Sequence, residues 1–373
     1  MRILLILGAQ FTEEMLYKEN YFIRANVEKG HKILILSVNK KYVNGNLVNV
    51  PENEYDLNEN VHVIRKAFKS IGPRKLSDKI KITQNFMQHI RNFSPDIIFF
   101  YSFPMYDLLK LKQIKNEFPD TKIYADSSAT KENSARGIMS QYILHKWIYR
   151  SWVRQSLDNI DCIYYVIPEV REFLEIMYKI PSDKMEFRPL PSKVLGNNEK
   201  VKSRQLFLET HDLNKDNIIF VHAGKMDRKK LTIEILDKFV KARDDRFKLY
   251  LAGSFSDDIK DEVEKYLNLD SRICYMGFLS GEELTRVLAA ADLYIQPGSV
   301  SQIAQTALGC STPIAVPKDY EIFYNNNGFI LNSVNDLEEV FRQVSDNPEI
   351  LKEMSVNAGA TAREMLDYKN LAL

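Results

Sequence analysis

The sequence predicts an α/β protein of two successive Rossmann-like domains, each a parallel sheet with helices on both faces. Three observations carry this. Short β-rich apolar runs alternate with helical patterns through both halves, and such alternation demands crossover connections and a parallel sheet. The series restarts after the turn-rich stretch PLPSKVLGNNEK at residues 189–200. The length of 373 residues suits two domains at about 100–200 residues each.

In the first half the strands are ILLIL (3–7), KILILSV (32–38), DIIFFYS (96–102), KIYAD (122–126), CIYYVI (162–167) and the run MEFRPLP (185–191). Each is apolar, rich in β-branched or aromatic residues, and bounded by polar or turn residues. YKENYFIRANVEKG (17–30) reads as a helix stopped by Gly30, and VNGNLVNVPENEYDLNEN (43–60) as a polar loop. In the second half the strands are NIIFVHAGK (217–225), FKLYLAG (247–253), RICYMGF (272–278), ADLYIQPG (291–298) and TPIAVP (312–317). Between them lie the helical patterns TIEILDKFVKAR, DDIKDEVEKYLN and GEELTRVLAAA, and the stretch from Pro348 onward is helical despite Gly359. The expected division is therefore 1–195, 196–347, and a final helical segment 348–373. Ligands of such sheets bind at the carboxyl ends of the strands, which directs the site to a cleft between the two domains.

A hydrophobic fraction of 45% with 27% charged residues excludes a disordered or fibrous chain. Three cysteines, Cys162, Cys274 and Cys310, lack C-x-x-C spacing, which excludes a disulfide framework or zinc ribbon and fits a reducing, cytoplasmic setting. MRILLILG reads as a buried strand rather than a leader, and no run reaches the roughly 18 apolar residues of a membrane span. Any membrane contact is expected to be peripheral, at the inner face of the membrane. Residues 1–195 hold 29 Lys and Arg against 22 Asp and Glu (+7), and the remainder 22 against 28 (−6). A basic half suits an anionic lipid surface or a phosphorylated partner. No nucleic-acid-binding motif accompanies the charge. QYILHKWIYRSWVRQSL places Tyr142, His145, Trp147, Tyr149, Arg150, Trp152 and Arg154 around one helix. That pattern fits an interfacial membrane helix and a partly buried helix equally well.

Two stretches carry chemistry. In FVHAGKMDRKKLTIEILDKF a glycine at a strand end is followed by Lys225, Arg228, Lys229 and Lys230, which outlines a phosphate site at a strand-to-helix turn; a solvated surface reads the same way. His222, on the strand entering this turn, can point toward the ligand or into the core. No G-x-x-x-x-G-K-[ST] is present, so a P-loop is not supported. The second stretch is GFLSGEELTRVLAAADLYIQPGSVSQIAQTALGCSTPIAVP (277–317).

The ordered set Gly224, Lys225, Lys230, Gly277-Phe278, Ala291-Asp292-Leu293, Pro297-Gly298 and Ala307 to Pro313 resembles the nucleotide-sugar half of the family 4 glycosyltransferases, which have the GT-B architecture. In the first half, the glycine after the first strand, Gly30-His31 and IDCIYYVIPEVREFLEIMYKIPSDKMEFRPLPS resemble the same group. The resemblance implies transfer of a sugar from a UDP- or GDP-linked donor to an acceptor hydroxyl with retention of configuration. The acceptor would be a glycan or lipid-linked saccharide in surface polysaccharide assembly. It assigns Lys225 and Lys230 to the leaving diphosphate, Tyr275 and Phe278 to the base, and Gly224, Gly298, Ser299, Val300, Ser301 and Thr306 to the pyrophosphate and ribose. Gly8, Glu19, Asp126 and Ser128 would face the acceptor and sugar, Asp126 and Ser128 joining the lysines as catalytic residues. No Asp-x-Asp motif is present, so neither a metal nor another cofactor is expected. By analogy the final helix would pack back on the first domain.

The departures are specific. The family's two acidic positions hold Gly298 and Thr306, two of its glycines are Ser301 and Ser311, and its sugar-facing histidine is replaced in Asp126-Ser127-Ser128. A serine tolerates positive φ poorly. A second expectation therefore stands beside the first: a catalytically inactive homologue that serves as a partner subunit or binding module.

Overall fold

The computed structural model describes residues 1–373 apart from Glu14, Asn44, Gly45 and Val300. The described chain divides into two compact units, one of Met1–Glu13, Phe22–Pro189 and Ala372–Leu373, the other of Glu14–Tyr21 and Leu190–Leu371.

The first unit contains β1 (Arg2–Leu7), β2 (Lys32–Ser37), β3 (Lys40–Val43), β4 (Asn46–Asn49), β5 (Asn53–Asn58), β6 (Val61–Arg65), β7 (Ile97–Phe100), β8 (Lys122–Ser127), β9 (Cys162–Tyr165) and β10 (Met185–Phe187). Eight of them form one sheet in the order β10, β9, β8, β7, β1, β2, β6, β5. All neighbours are parallel except β5 and β6. Central strands such as RILLIL and KILILS are buried on both faces after their first residue, as a doubly covered parallel sheet requires. The helix Lys18–Glu28 ends before Gly30, whose φ of +76° supplies the left-handed stop.

The stretch 43–60, expected as a loop, instead contains β4 and β5, with β3 pairing antiparallel to β4. β5 (NEYDLN) is an edge strand with almost every side chain exposed, so no hydrophobic period marks it. Its one inward group, Tyr55, accepts from Arg65 Nη2 (2.8 Å), and Arg65 also pairs with Glu13 (2.6 Å).

The second unit contains β11 (Ile218–Met226), β12 (Phe247–Phe255), β13 (Ile273–Tyr275), β14 (Leu293–Ile295), β15 (Ile314–Pro317) and β16 (Gly328–Leu331). They form a parallel sheet in the order β13, β12, β11, β14, β15, β16, the doubly wound Rossmann order. One face is cemented by Phe220, Phe239, Phe247 and Phe341, with Phe220 and Phe247 edge to face at 4.9 Å. The closing helix Ile350–Thr361 lies within this unit. Gly359 lets it approach Ser311, since a Cβ there would stand 2.6 Å from Ser311 Oγ. Of the segment expected to cross back, only Ala372 and Leu373 group with the first unit, where Leu373 N donates to Asn26 Oδ1 (3.0 Å). Among the described residues no helix is long and apolar enough to cross a membrane.

Candidate functional site

A doubly wound sheet opens a crevice where its strand order reverses, at the carboxyl ends of the two flanking strands. In the second unit these are β11 and β14, followed by Asp227–Leu231 and by Gly298–Ser301 respectively. Asp227 caps the first turn, its Oδ1 accepting from the N–H groups of Lys229 and Lys230 (both 3.0 Å). That turn folds Lys230 back over the strand end, where Nζ donates to Ala223 O (3.1 Å). A Cβ on Gly224 would lie 2.8 Å from Lys230 Nζ and 3.0 Å from Ile303 Cδ1; with φ at +109°, only glycine suits the position.

The loop after β14 threads against the same turn. A Cβ on Gly298 would lie 2.1 Å from Lys229 O, and Ser299 N donates to that carbonyl (3.2 Å). Ser301 then caps the helix Gln302–Gly309, its Oγ accepting from Ile303 N (3.2 Å). Ser301 is pinned by the Tyr320 hydroxyl, which donates to its carbonyl (2.7 Å) and accepts from its N–H. Ser301, which the sequence resemblance sets at a glycine position, is thus extended (φ −148°), and its hydroxyl serves as a helix cap. Ser311, the other such serine, does adopt φ +55°. Its carbonyl accepts from Lys200 Nζ and Ser355 Oγ (2.7 Å), which holds the left-handed turn in place.

Lys230 is buried, and burial pulls its pKa down to about 8, opposed only in part by Asp227. A cation so placed, beside the first turn of the helix Gln302–Gly309 and with no carboxylate salt bridge among the described residues, is configured for an anion. Lys225 is exposed one residue beyond Gly224. Arg228 is turned outward to Glu262 and Asp258, so the cationic run divides between Lys230, folded over the strand end, and members on the surface. Tyr275, the last residue of β13, and Phe278 beyond it stand half exposed. The Tyr275 hydroxyl donates to Gly253 O (2.8 Å), and its ring lies on Phe255 at 4.5 Å.

Other expectations fare differently. His222 does not face a ligand. It is fully buried, tied to Ile295 O (2.8 Å) and Thr232 Oγ1 (3.0 Å), and burial, aided by the Lys230 charge, lowers its pKa to about 3. Thr306 is buried and returns its hydroxyl to Gln302 O (3.1 Å) within its own helix. Val300 lies outside the described residues. Sequence reasoning passed over Ile303, Tyr320 and Gln296. Gln296 accepts from Tyr294 OH and donates to Ser299 O, bracing the loop. No short motif marks them, since each acts through tertiary contact.

In the first unit the corresponding reversal lies between β1 and β7, followed by Gly8 and Ser102. A Cβ on Gly8 would stand 2.8 Å from Ser102 Cβ and 3.3 Å from Lys81 Cδ. Lys81, which the sequence did not single out, closes the helix Arg74–Ile80 in a left-handed conformation (φ +56°), and burial pulls its pKa to about 8. Asp126 is buried at the end of β8, next to β7, while Ser128 is exposed, its carbonyl accepting from Asn133 Nδ2 (2.9 Å). Glu19 stands in the first turn of Lys18–Glu28, in the short segment that groups with the second unit.

No protein-family model matches the chain, and no curated protein matches it in sequence. Solved structures do match along its whole length. Sucrose-phosphate synthase from Thermosynechococcus elongatus superposes with a TM-score of 0.71 at 15% identity, covering 100% of this chain and 96% of that one. WaaG, a glycosyltransferase involved in lipopolysaccharide biosynthesis, gives 0.67 at 14%, covering 99% and 97%. Anabaena HepE in complex with UDP gives 0.65 at 12%, covering 100% and 97%. The fold is GT-B.

Proposed function

We propose that the protein is a glycosyltransferase that takes its sugar from a nucleoside diphosphate sugar. The observation that carries this is Lys230, buried over Gly224 at the sheet reversal with a helix N-terminus beside it. Departure of a nucleoside diphosphate concentrates negative charge on the distal phosphate, and fixed cations and N–H donors stabilise it most where water is excluded. In this reading Lys230 and Lys225 meet that charge without a metal, Gly298 offers backbone to the pyrophosphate, and Tyr275 and Phe278 flank the base; the N–H groups of Ser299 and Ser301, expected to donate there, are instead engaged by Lys229 O and Tyr320 OH. Asp126 and Ser128 serve the acceptor side with Gly8 and Glu19, and transfer proceeds with retention. HepE, solved with UDP and with UDP-glucose, has the same fold, which supports UDP as the first donor to try, with GDP as the alternative. A glycan or lipid-linked acceptor of surface polysaccharide assembly, met at the cytoplasmic face of a membrane, suits the +7 charge of residues 1–195.

One observation favours a second reading, an inactive homologue acting as a partner subunit. Neither Gly298 nor Thr306 supplies an acid to the ribose, and the Thr306 hydroxyl is engaged within its helix. Calorimetric titration with UDP, GDP and common nucleotide sugars separates the two. Micromolar to low-millimolar binding of one nucleotide, weakened in both Lys225→Ala and Lys230→Ala, is the expected result; binding of none supports the partner subunit. NMR of the product anomer then tests retention, and turnover in excess chelator tests metal independence.

A further inference from the structure

Residues 133–157 carry Arg136, Lys146, Arg150 and Arg154 and not one Asp or Glu. They build the helix Met139–Tyr149, of π form, and its continuation Arg150–Ser156. One side of this rod is anchored in the first unit. His145, Tyr149, Trp152, Val153 and Ser156 are buried; His145 Nδ1 lies 2.7 Å from Tyr178 OH, and Tyr149 OH donates to Lys79 O (2.5 Å). Trp152 is thereby a core residue.

The outward side is the reverse of a water-facing helix surface. Ile138, Met139, Tyr142, Ile143 and Trp147 are exposed to 79%, 71%, 54%, 41% and 73%. Within this set 138, 142 and 147, and likewise 139, 143 and 147, recur at steps of four or five residues, which follows the wide π turn. Ile176, 47% exposed, extends the patch from a neighbouring helix whose carbonyl at that residue accepts from Arg150 Nη2 (2.9 Å). Lys146 Nζ sits 4.4 Å from the Tyr142 ring centre, and Arg136 and Arg154 are exposed at either end.

We propose that this face docks on an anionic lipid bilayer. Ile138, Met139, Ile143 and Trp147 enter the headgroup boundary, and Arg136, Lys146 and Arg154 meet lipid phosphates. Apolar side chains ringed by cations, with a tryptophan at the junction, match the chemistry of that boundary. A second copy of the chain on the same face would set four cations against four, so charge selects the membrane over self-association. The proposal does not rest on the transferase reading, because vesicle binding needs no substrate.

The chain provides its own probe: it has two tryptophans, Trp147 exposed and Trp152 buried. The full-length protein is mixed with vesicles of phosphatidylcholine alone or with added phosphatidylglycerol, and read by sedimentation and tryptophan emission. Expected are sedimentation with the anionic vesicles, a blue shift of emission, and weakening by salt. Ile138→Ser combined with Trp147→Ser should weaken binding more than tenfold, and Lys146→Glu about fivefold or more per reversed charge. Leu269→Ser, equally exposed but in the second unit, should bind as the parent does. Absence of anionic-vesicle binding, binding with unchanged emission, or patch variants that bind like the parent would each overturn the proposal. So would a concentration-dependent dimer in sedimentation equilibrium that Trp147→Ser dissociates.

Discussion

At the reversal of the second sheet, Lys230 reaches Gly224 from six residues along the chain, on a turn that Asp227 caps. At the reversal of the first sheet, Lys81 reaches Gly8 from 73 residues away, at the end of an unrelated helix. Burial lowers both ammonium groups to about 8. The packing beneath them differs. Gly298 and Gly253 meet backbone, Lys229 O and Gly224 O, whereas Gly8 meets only the side chains of Ser102 and Lys81. The glycines of the second crevice are thus closed against main chain, whereas the first crevice is lined by Ser102 Cβ, fixed to its backbone, and by the Lys81 chain, which can turn aside. Preorganised donors favour binding and charge stabilisation; adjustable side chains favour tolerance of differently shaped ligands.

The largest test of this contrast is charge removal. Lys230→Ala should weaken UDP binding about a hundredfold, the scale of a desolvated charge-assisted bond. Lys81→Ala should leave it within about twofold. Calorimetry decides, and equal losses would erase the distinction between the crevices. Next comes steric probing. Gly298→Ala must displace backbone at 2.1 Å and should cost about 3 kcal/mol in denaturant midpoint measurements, against about 2 kcal/mol for Gly8→Ala, which meets Ser102 Cβ at 2.8 Å and the movable Lys81 chain at 3.3 Å.

A pH series sharpens the comparison further. The protonated lysine binds the anion, so UDP affinity should hold below pH 8 and fall up to about tenfold per pH unit above it. Lys230→Arg, charged throughout, should flatten the profile. Stability moves the opposite way. Between about 8 and the ordinary 10.5, the unfolded chain holds more protons on Lys230, so folding is favoured as pH rises. The smallest effect is expected at Ser311→Gly, which relieves a left-handed serine for a gain of about 1 kcal/mol in melting experiments.

How far the sequence disclosed this design follows from where the information lies. Most of the parallel strands were legible because each is an apolar run, though β6 and β16 went unread, and the basic turn stood out because Gly224, Lys225 and Lys230 share one short window. β5 was not, since an edge strand with exposed side chains carries no hydrophobic period. His222 was ambiguous because both faces of a doubly covered strand are apolar, and only the bonds to Ile295 and Thr232 show which way it turns. Lys81 was invisible, since its significance comes from a neighbour 73 positions away. Trp147 and Trp152 looked alike in one aromatic helix, and packing against the first unit separated them.

The glycines of the second crevice also bear on how binding is divided between heat and disorder. Where Gly253 and Gly298 press against the carbonyls of Gly224 and Lys229, the floor of the crevice has no χ angles, and the side chains over it are Lys230 and Ile303. Contact with that floor freezes no rotamers, escaping the about 0.5–1.5 kcal/mol that each ordered side chain otherwise subtracts. For a nucleotide in the proposed site, the entropic cost of ordering the protein should therefore fall on the exposed Lys225, Tyr275 and Phe278 and not on the floor.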